Sequence, residues 1–311
     1  MRAPARIALV ALAATLLAAP PARAYFENVA VGARALALGP SGLAIADDAT
    51  SYYWNPAALA TLARGDVVAD YAKPYGVPDL NEGALALAVP RFGVGWGLAW
   101  HRLALGSSYA EDQFCAAAGR RLFSRFGQSL DGGLTFKFER ISIPTYYDPD
   151  LGANLTLQPQ AKGSLDAALR WRTPWGVDFS WVGRDLNQPR FQFVAGSGGQ
   201  QQSARAELAA AIHWHPESTI LAGWSQYPGG GSSVSAGLEI EFYKVFAIRS
   251  GLANLSRVYQ AYGSPAELEY DAGFGVYHHG YYVDAAATTN RDLGASYRLT
   301  VRTPLSREVL R

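Results

Sequence analysis

Histidines and carboxylates are the side chains of this 311-residue chain whose spacing could do chemistry. His213 and His215 lie two apart, so on a strand they face the same way, and two imidazoles can ligate a metal. A metal site needs three or four ligands, and a pair on a wet strand rim accounts for them without one. His278-His279 is an adjacent pair in a turn, where the side chains point apart. Glu207, Glu239, Glu241, Glu267, Glu269, Asp271 and Asp284 fall on the same strand parity as Lys137, Arg170, Arg172, Arg249, Arg298 and Arg302. Paired carboxylates can do acid–base work. Mixed with this many cations, they instead predict cross-strand ion ladders on an enclosed face. The chain has no G-x-S-x-G, no P-loop and no zinc signature. No catalytic residue, cofactor or metal is expected.

A second group of candidates sits in Gly32 to Ala60, GARALALGPSGLAIADDATSYYWNPAALA, which has no alternating run. Asp47 and Asp48 either pair with arginines that line a lumen, as polar anchors of an otherwise apolar segment, or form a solvated loop pair. Tyr52, Tyr53 and Trp54 either line a path for an apolar ligand or pack against a wall. Asn55 before Pro56 is a turn signal, because the proline ring pushes the preceding residue out of the helical region. Pro56 then opens a short helix to Leu62, since the first helical position needs no N–H. Such a segment buries too little apolar surface to fold alone and belongs inside something larger.

The elements that would enclose it are strands. From Val67 onward apolar and polar residues alternate, with turn signals between runs. Val234, Ala236, Leu238, Ile240 and Phe242 oppose Ser233, Ser235, Gly237, Glu239 and Glu241; Leu134, Phe136 and Phe138 alternate with Thr135, Lys137 and Glu139. The runs are 66–73, 82–90, 93–103, 110–121, 130–142, 162–172, 175–185, 203–215, 218–227, 233–243, 245–253, 267–277, 280–289 and 292–303. A soluble sandwich alternates too. Run lengths of roughly ten residues, Trp and Tyr near run ends, and the N-terminal leader favour a transmembrane barrel. The three longest connections, Ile143 to Ala161, Leu186 to Gln202 and Asn254 to Ala266, all follow odd-numbered runs, whereas most even-numbered ones are tight. Long loops on one rim and short turns on the other is the barrel rule. Leu122 to Ser129 is the exception.

Residues 1–24 read as a secretory signal: Arg2 and Arg6, an apolar run from Ile7 to Ala19, then Ala22-Arg23-Ala24 with cleavage after Ala24. No stretch of about 18 apolar residues follows, although 49% of residues are hydrophobic and only 17% charged. A net charge of +1 argues against nucleic acid. The lone Cys115 excludes an internal disulfide.

Three segments after the leader, G-A-R-A-x-A-x-G, A-x-A-D-D-A-T and W-N-P-A-A-L-A, resemble outer-membrane proteins of the PorV/PorQ kind. They are more distantly similar to the FadL-like long-chain fatty-acid transporters. The matching residues are Gly32, Ala33, Arg34, Gly39, Ala46, Asp47, Asp48, Ala49, Asn55, Pro56 and Ala57; Pro40-Ser41 stands where that family usually has another Gly. The resemblance implies a barrel of fourteen strands with this stretch as a luminal plug or periplasmic cap. The expected organisation is therefore a signal peptide 1–24, a plug 25–65, an all-β closed antiparallel barrel 66–303 and a tail 304–311. The plug and lumen residues are Arg34, Asp47, Asp48, Tyr52, Tyr53, Trp54, Asn55, Pro56, Glu239, Glu241, Arg249, Glu269, Asp271 and Arg298. The expected function is non-enzymatic passage or docking of a cargo at the bacterial outer membrane. The partner beyond membrane lipid is either a hydrophobic small molecule or a secreted protein or secretion-system component, as PorV implies for type IX secretion. A structural barrel without cargo is the third reading. The charged lumen weighs against a fatty-acid tunnel.

Overall fold

The computed structural model describes residues 26, 30–148, 152–155, 157, 159–193, 199–226, 232–254, 268–290 and 293–305. The signal-peptide reading of residues 1–24, the inward assignment of Glu267 and the tail from Ser306 lie outside the described residues.

Eighteen strands are present among them: β1 Asp66–Lys73, β2 Leu80–Arg91, β3 Val94–Leu105, β4 Tyr109–Arg125, β5 Gln128–Ser142, β6 Tyr146–Asp148, β7 Ala153–Leu155, β8 Gln160–Arg172, β9 Val177–Arg184, β10 Arg190–Phe191, β11 Gln200–Gln201, β12 Arg205–His215, β13 Ser218–Gln226, β14 Ser232–Phe242, β15 Phe246–Ala253, β16 Glu269–His278, β17 Tyr281–Asn290 and β18 Gly294–Pro304. Fourteen of them close an antiparallel barrel, each paired with its neighbour in chain order, and β1 pairs with β18 from Asp66↔Pro304 to Lys73↔Tyr297. The strand pairs β6–β7 and β10–β11 form two small hairpins on the connections that follow β5 and β9. The strands that precede the three longest connections, β5, β9 and β15, all end on that same rim. The opposite rim carries tight turns whose residues adopt left-handed backbone, Phe92-Gly93, Phe126-Gly127, Tyr243-Lys244 and His279-Gly280.

Most strand ends shift by one or two residues from the sequence expectation, and three differences stand out. The exception at Leu122 to Ser129 disappears, because β4 runs on to Arg125 and β5 begins at Gln128. A register shift between Arg121 and Phe123 disguises this continuation as loss of alternation. β14 begins at Ser232, one residue ahead of the expected run 233–243. The last strand extends through Pro304, where a missing N–H costs nothing at a strand end.

Closure decides which side of each strand is wet. The alternating apolar side chains point outward: Leu98 is 60% exposed and Phe136 54%. Their neighbours Thr135, Asp131 and His101 are buried inside. An apolar side chain left in water forgoes about 1.5–3 kcal/mol, and the barrel carries such residues on every strand. A surface of that kind is compatible with hydrocarbon rather than water. The short-turn rim adds exposed aromatics, Phe92, Phe126, Trp175, Trp214 and Tyr243. No helix among the described residues is long and apolar enough to cross a membrane, which says nothing about strands.

Candidate functional site

The lumen is filled by residues 30–65. They form helix α1 (Ala33–Leu36), a 3₁₀ turn (Gly39–Ala44), helix α2 (Ser51–Trp54) and a second 3₁₀ turn (Pro56–Thr61). Each break is locally explained. Asn55 sits extended at φ −159° and ψ 92°, as a residue before proline must. Its Oδ1 accepts from the Ala57 N–H at 3.1 Å, and its Nδ2 donates to Ser180 Oγ on β9 at 3.0 Å. The sequence predicted a helix over Pro56–Leu62; the turn is 3₁₀ and ends at Thr61. Pro40-Ser41 lies in the first 3₁₀ turn, where Ser41 Oγ donates to the Leu38 carbonyl at 2.6 Å. The aromatic triplet is helical and tied down on each residue. The Tyr52 carbonyl accepts from Thr135 Oγ1 at 2.8 Å, the Tyr53 carbonyl from Arg184 at 2.6 Å, and Trp54 Nε1 donates to the Val31 carbonyl.

The wall is shaped to receive this backbone. A Cβ on Gly133 would stand 2.3 Å from the Ala57 nitrogen, one on Gly119 2.3 Å from the Pro56 carbonyl oxygen, and one on Gly95 1.9 Å from the Leu59 carbonyl oxygen. These three glycines lie on adjacent strands β5, β4 and β3 and seat the second 3₁₀ turn. On the far wall, a Cβ on Gly251 would be 2.7 Å from the Leu38 carbonyl carbon and one on Gly273 2.6 Å from Ala37 Cβ. Glycine is required here by close approach of main chain to main chain. The packed interior is correspondingly plug against wall: Val31, Tyr52 and Leu59 pack with Ala86 and Ala117, and Leu38, Leu43 and Trp54 with Val182 and Leu221.

Charge fixes the plug from the short-turn side. Arg34 forks onto both oxygens of Glu239 at 2.9 Å and reaches Asp47 at 2.6 Å. Arg249 also holds Glu239 at 2.6 Å and bridges to Asp284 at 2.6 Å. Arg302 continues the chain to Asp47 at 3.4 Å and Asp48 at 3.3 Å. Burial works against ionising Asp48, but Arg302 and the Thr50 hydroxyl outweigh it and hold the carboxyl below its usual value. Burial likewise opposes the Arg34 charge, and Asp47 and Glu239 more than restore it. On the neighbouring wall Arg298 joins Asp70 and Glu82, Glu82 accepts from His101 Nε2 at 2.8 Å, and Asp70 and Thr300 take the N–H groups of Gly32 and Ala33 at 3.2 and 2.7 Å. The remaining ladder pairs Arg170 with Asp178, Arg172 with Asp131, Lys137 with Asp166 and Asp185, and Arg184 with Glu207.

Cavities lie above and below the plug. The one toward the long connections has a volume of about 290 Å³; Leu36, Pro40, Tyr53, Trp54, Leu80 and Leu103 line it together with Glu82, Glu207, Glu269, Asp271, Arg184, Arg205 and Arg298. The main one on the short-turn side, about 310 Å³, is lined by Arg34, Asp47, Glu241, Arg249 and Arg302. No described residue lines both, and the plug lies between them.

The structure thus brings Arg34, Asp47, Asp48, Glu239 and Arg249 into one network, with Glu241 on the edge of the same cavity. It places Glu269, Asp271 and Arg298 on the other side of the plug, with Tyr53 and Trp54. Tyr52 faces the wall, buried, and lines neither cavity. His213 and His215 are exposed and separated by a register shift; His213 contacts Thr219 and His215 accepts from the Glu217 N–H. The expectation that His278 and His279 point apart is corrected. Left-handed backbone at His279 folds the rings edge to face, with centroids 4.0 Å apart. No group of three metal-ligating side chains exists among the described residues. Sequence reasoning did not single out Asp70, Glu82, His101, Thr300, Arg184 or the glycine seats. Their signal was present as small or polar residues on the inward parity, but parity does not say which of them meet.

No family profile matches the chain, and no curated protein is significantly similar in sequence. Its fold is similar to the crystal structure of a Pseudomonas aeruginosa FadL homologue, at 12% identity over 93% of this chain and 100% of that one with a TM-score of 0.58. It is also similar to the CymD monoaromatic hydrocarbon channel, at 11% identity over 91% and 100% with a TM-score of 0.59. At such identities the likeness concerns the fold, a closed antiparallel barrel of fourteen strands with few short helices.

Proposed function

We propose that this chain is an outer-membrane barrel that passes a small apolar or amphipathic molecule, without chemistry, past a plug that must shift to let it through. The observation that carries the reading is the cavity over the plug. Its floor is plug (Leu36, Pro40, Tyr53, Trp54) and its walls are barrel (Leu80, Leu103), so a ligand seated there touches the part that blocks its path. The luminal charges, which argued against an apolar tunnel at the level of sequence, are largely neutralised in pairs and leave apolar surface between them. The greasy outer face supplies the membrane partner, lipid. The test is uptake of a labelled medium-chain alcohol by proteoliposomes. Uptake above that of empty liposomes, altered when Gly32 to Ala60 is removed, supports passage; no difference from empty liposomes overturns it.

A second reading, docking of a secreted protein or secretion-system component, is favoured by the resemblance of the Arg34, Asp47-Asp48 and Asn55-Pro56 segments to PorV/PorQ proteins. The hairpins β6–β7 and β10–β11 add structured surface to the rim such a partner would meet. Copurification of a bound protein from native membranes, stoichiometric with the barrel, is its test; recovery of the barrel alone overturns it.

A further inference from the structure

We infer that the cavity over the plug recognises a cation: Glu269 and Asp271 form an ammonium-binding subsite for an amphipathic amine. This rests on the passage reading above and specifies its ligand. The two residues are i and i+2 on β16, so both carboxyls face the lumen, and both line the cavity. Every other carboxylate on that cavity has a basic partner. Glu82 meets Arg298 and His101, and Glu207 meets Arg184. Glu269 accepts only a neutral amide hydrogen bond, from Asn290 Nδ2 at 3.0 Å. Asp271 is 6% exposed, and its carboxyl makes no hydrogen bond or ion pair with any described residue.

A carboxylate buried to that degree is costly unless something compensates it. A second carboxylate two residues away adds repulsion that only a cation or a proton relieves. Two carboxylates are too few to hold calcium, which takes six to eight oxygens, and no third metal-ligating residue joins them among the described residues. A single ammonium fits better. It has three donors for two carboxylates, its apolar tail can lie on Leu36 and Pro40, and Tyr53 and Trp54 add ring faces to the same cavity. The subsite also touches the plug: a Cβ on Gly39 would stand 3.1 Å from Asp271 Oδ2. The charge is therefore read at the surface that must move.

The experiment uses the full chain in detergent and three probes of equal length at neutral pH: octylammonium, 1-octanol and octanoate, measured by calorimetry. Octylammonium should bind about tenfold tighter than 1-octanol, the gain expected of charge-assisted hydrogen bonds in a partly dry site, and octanoate should bind weakest. In Asp271→Asn and Glu269→Gln the ratio of amine to alcohol affinity should fall toward one, and Asp271→Glu should retain most of it. Equal binding of amine and alcohol by the unaltered protein would show that the pair holds a proton instead of a ligand and would overturn the inference. So would an amine preference that survives both neutral substitutions. Binding of 1-octanol by the unaltered protein tests the passage reading separately. If no probe binds, that reading fails; if the alcohol binds without an amine preference, only the inference does.

Discussion

Gly133→Leu should unseat the plug without opening the barrel. The ideal Cβ at Gly133 lies 2.3 Å from both the Ala57 nitrogen and the Pro56 carbonyl carbon. Non-bonded heavy atoms settle at about 3.5–4.0 Å, so the second 3₁₀ turn must recede by more than about 1 Å. Backbone on both sides leaves no flexible side chain to absorb the clash. Overpacking of this kind costs about 1–3 kcal/mol. Recession also strains the hydrogen bond from Asn55 to Ser180, worth about 1 kcal/mol more. A total of about 2–4 kcal/mol shifts the seated plug toward the released state by roughly 30- to 700-fold. The ladder itself is untouched, because Gly133 pairs with Gly119 and Ala168 through its main chain and the new side chain points into the lumen. The adjacent residue is the control. Gly132 faces outward, and a Cβ there meets only the Leu122 side chain, at 2.7 Å. In planar bilayers Gly133→Leu should raise conductance well above the parent level, and Gly132→Ala should not. Folded barrel is verified by heat-dependent gel migration. Parent-like conductance from a folded Gly133→Leu barrel, or an equal rise in Gly132→Ala, would refute the reasoning.

Three further outcomes follow from the same contacts. Replacing Arg34 by Ala removes the fork on Glu239 but leaves Arg249 at 2.6 Å, so the plug should lose about 1.5–3 kcal/mol, read as faster proteolysis of residues 30–65; Arg34→Lys should recover only part, lacking the planar fork. Asp48 has a folded-state value below its ordinary 3.8, so its contribution is full above that value and is lost as pH falls through the lower folded value. Protease access to the plug should therefore rise on acidification below about pH 4, and Asp48→Asn should be susceptible already at neutral pH. Cys115 is buried in the cluster that contains Val31, Tyr52 and Leu59, so a maleimide should label it slowly in the intact chain and rapidly once Gly32 to Ala60 is deleted; fast labelling of the intact chain would contradict the seated plug.

What the amino-acid order determined by itself was the wall. Alternation is a one-dimensional property, since the backbone sends Leu238, Glu239, Ile240 and Glu241 to opposite sides whatever lies around them. That placed the strands and the parity of long and short connections, and Asn55-Pro56 marked a break through sterics confined to two residues. It misplaced features where local geometry departs from strict alternation, at the register shift beyond Arg121 and at the left-handed turn of His279. Only the tertiary structure decided that the apolar parity faces out, because a sandwich and a barrel share the same pattern and differ only in closure between β1 and β18. It alone decided the lumen. The Arg34–Glu239 fork spans 205 residues and the bond from Ala33 to Thr300 spans 267. Glycines on three successive strands form one seat only when curvature brings them under the same turn. Those partners are chosen by the register and circumference of a closed sheet, which no stretch of the chain carries locally.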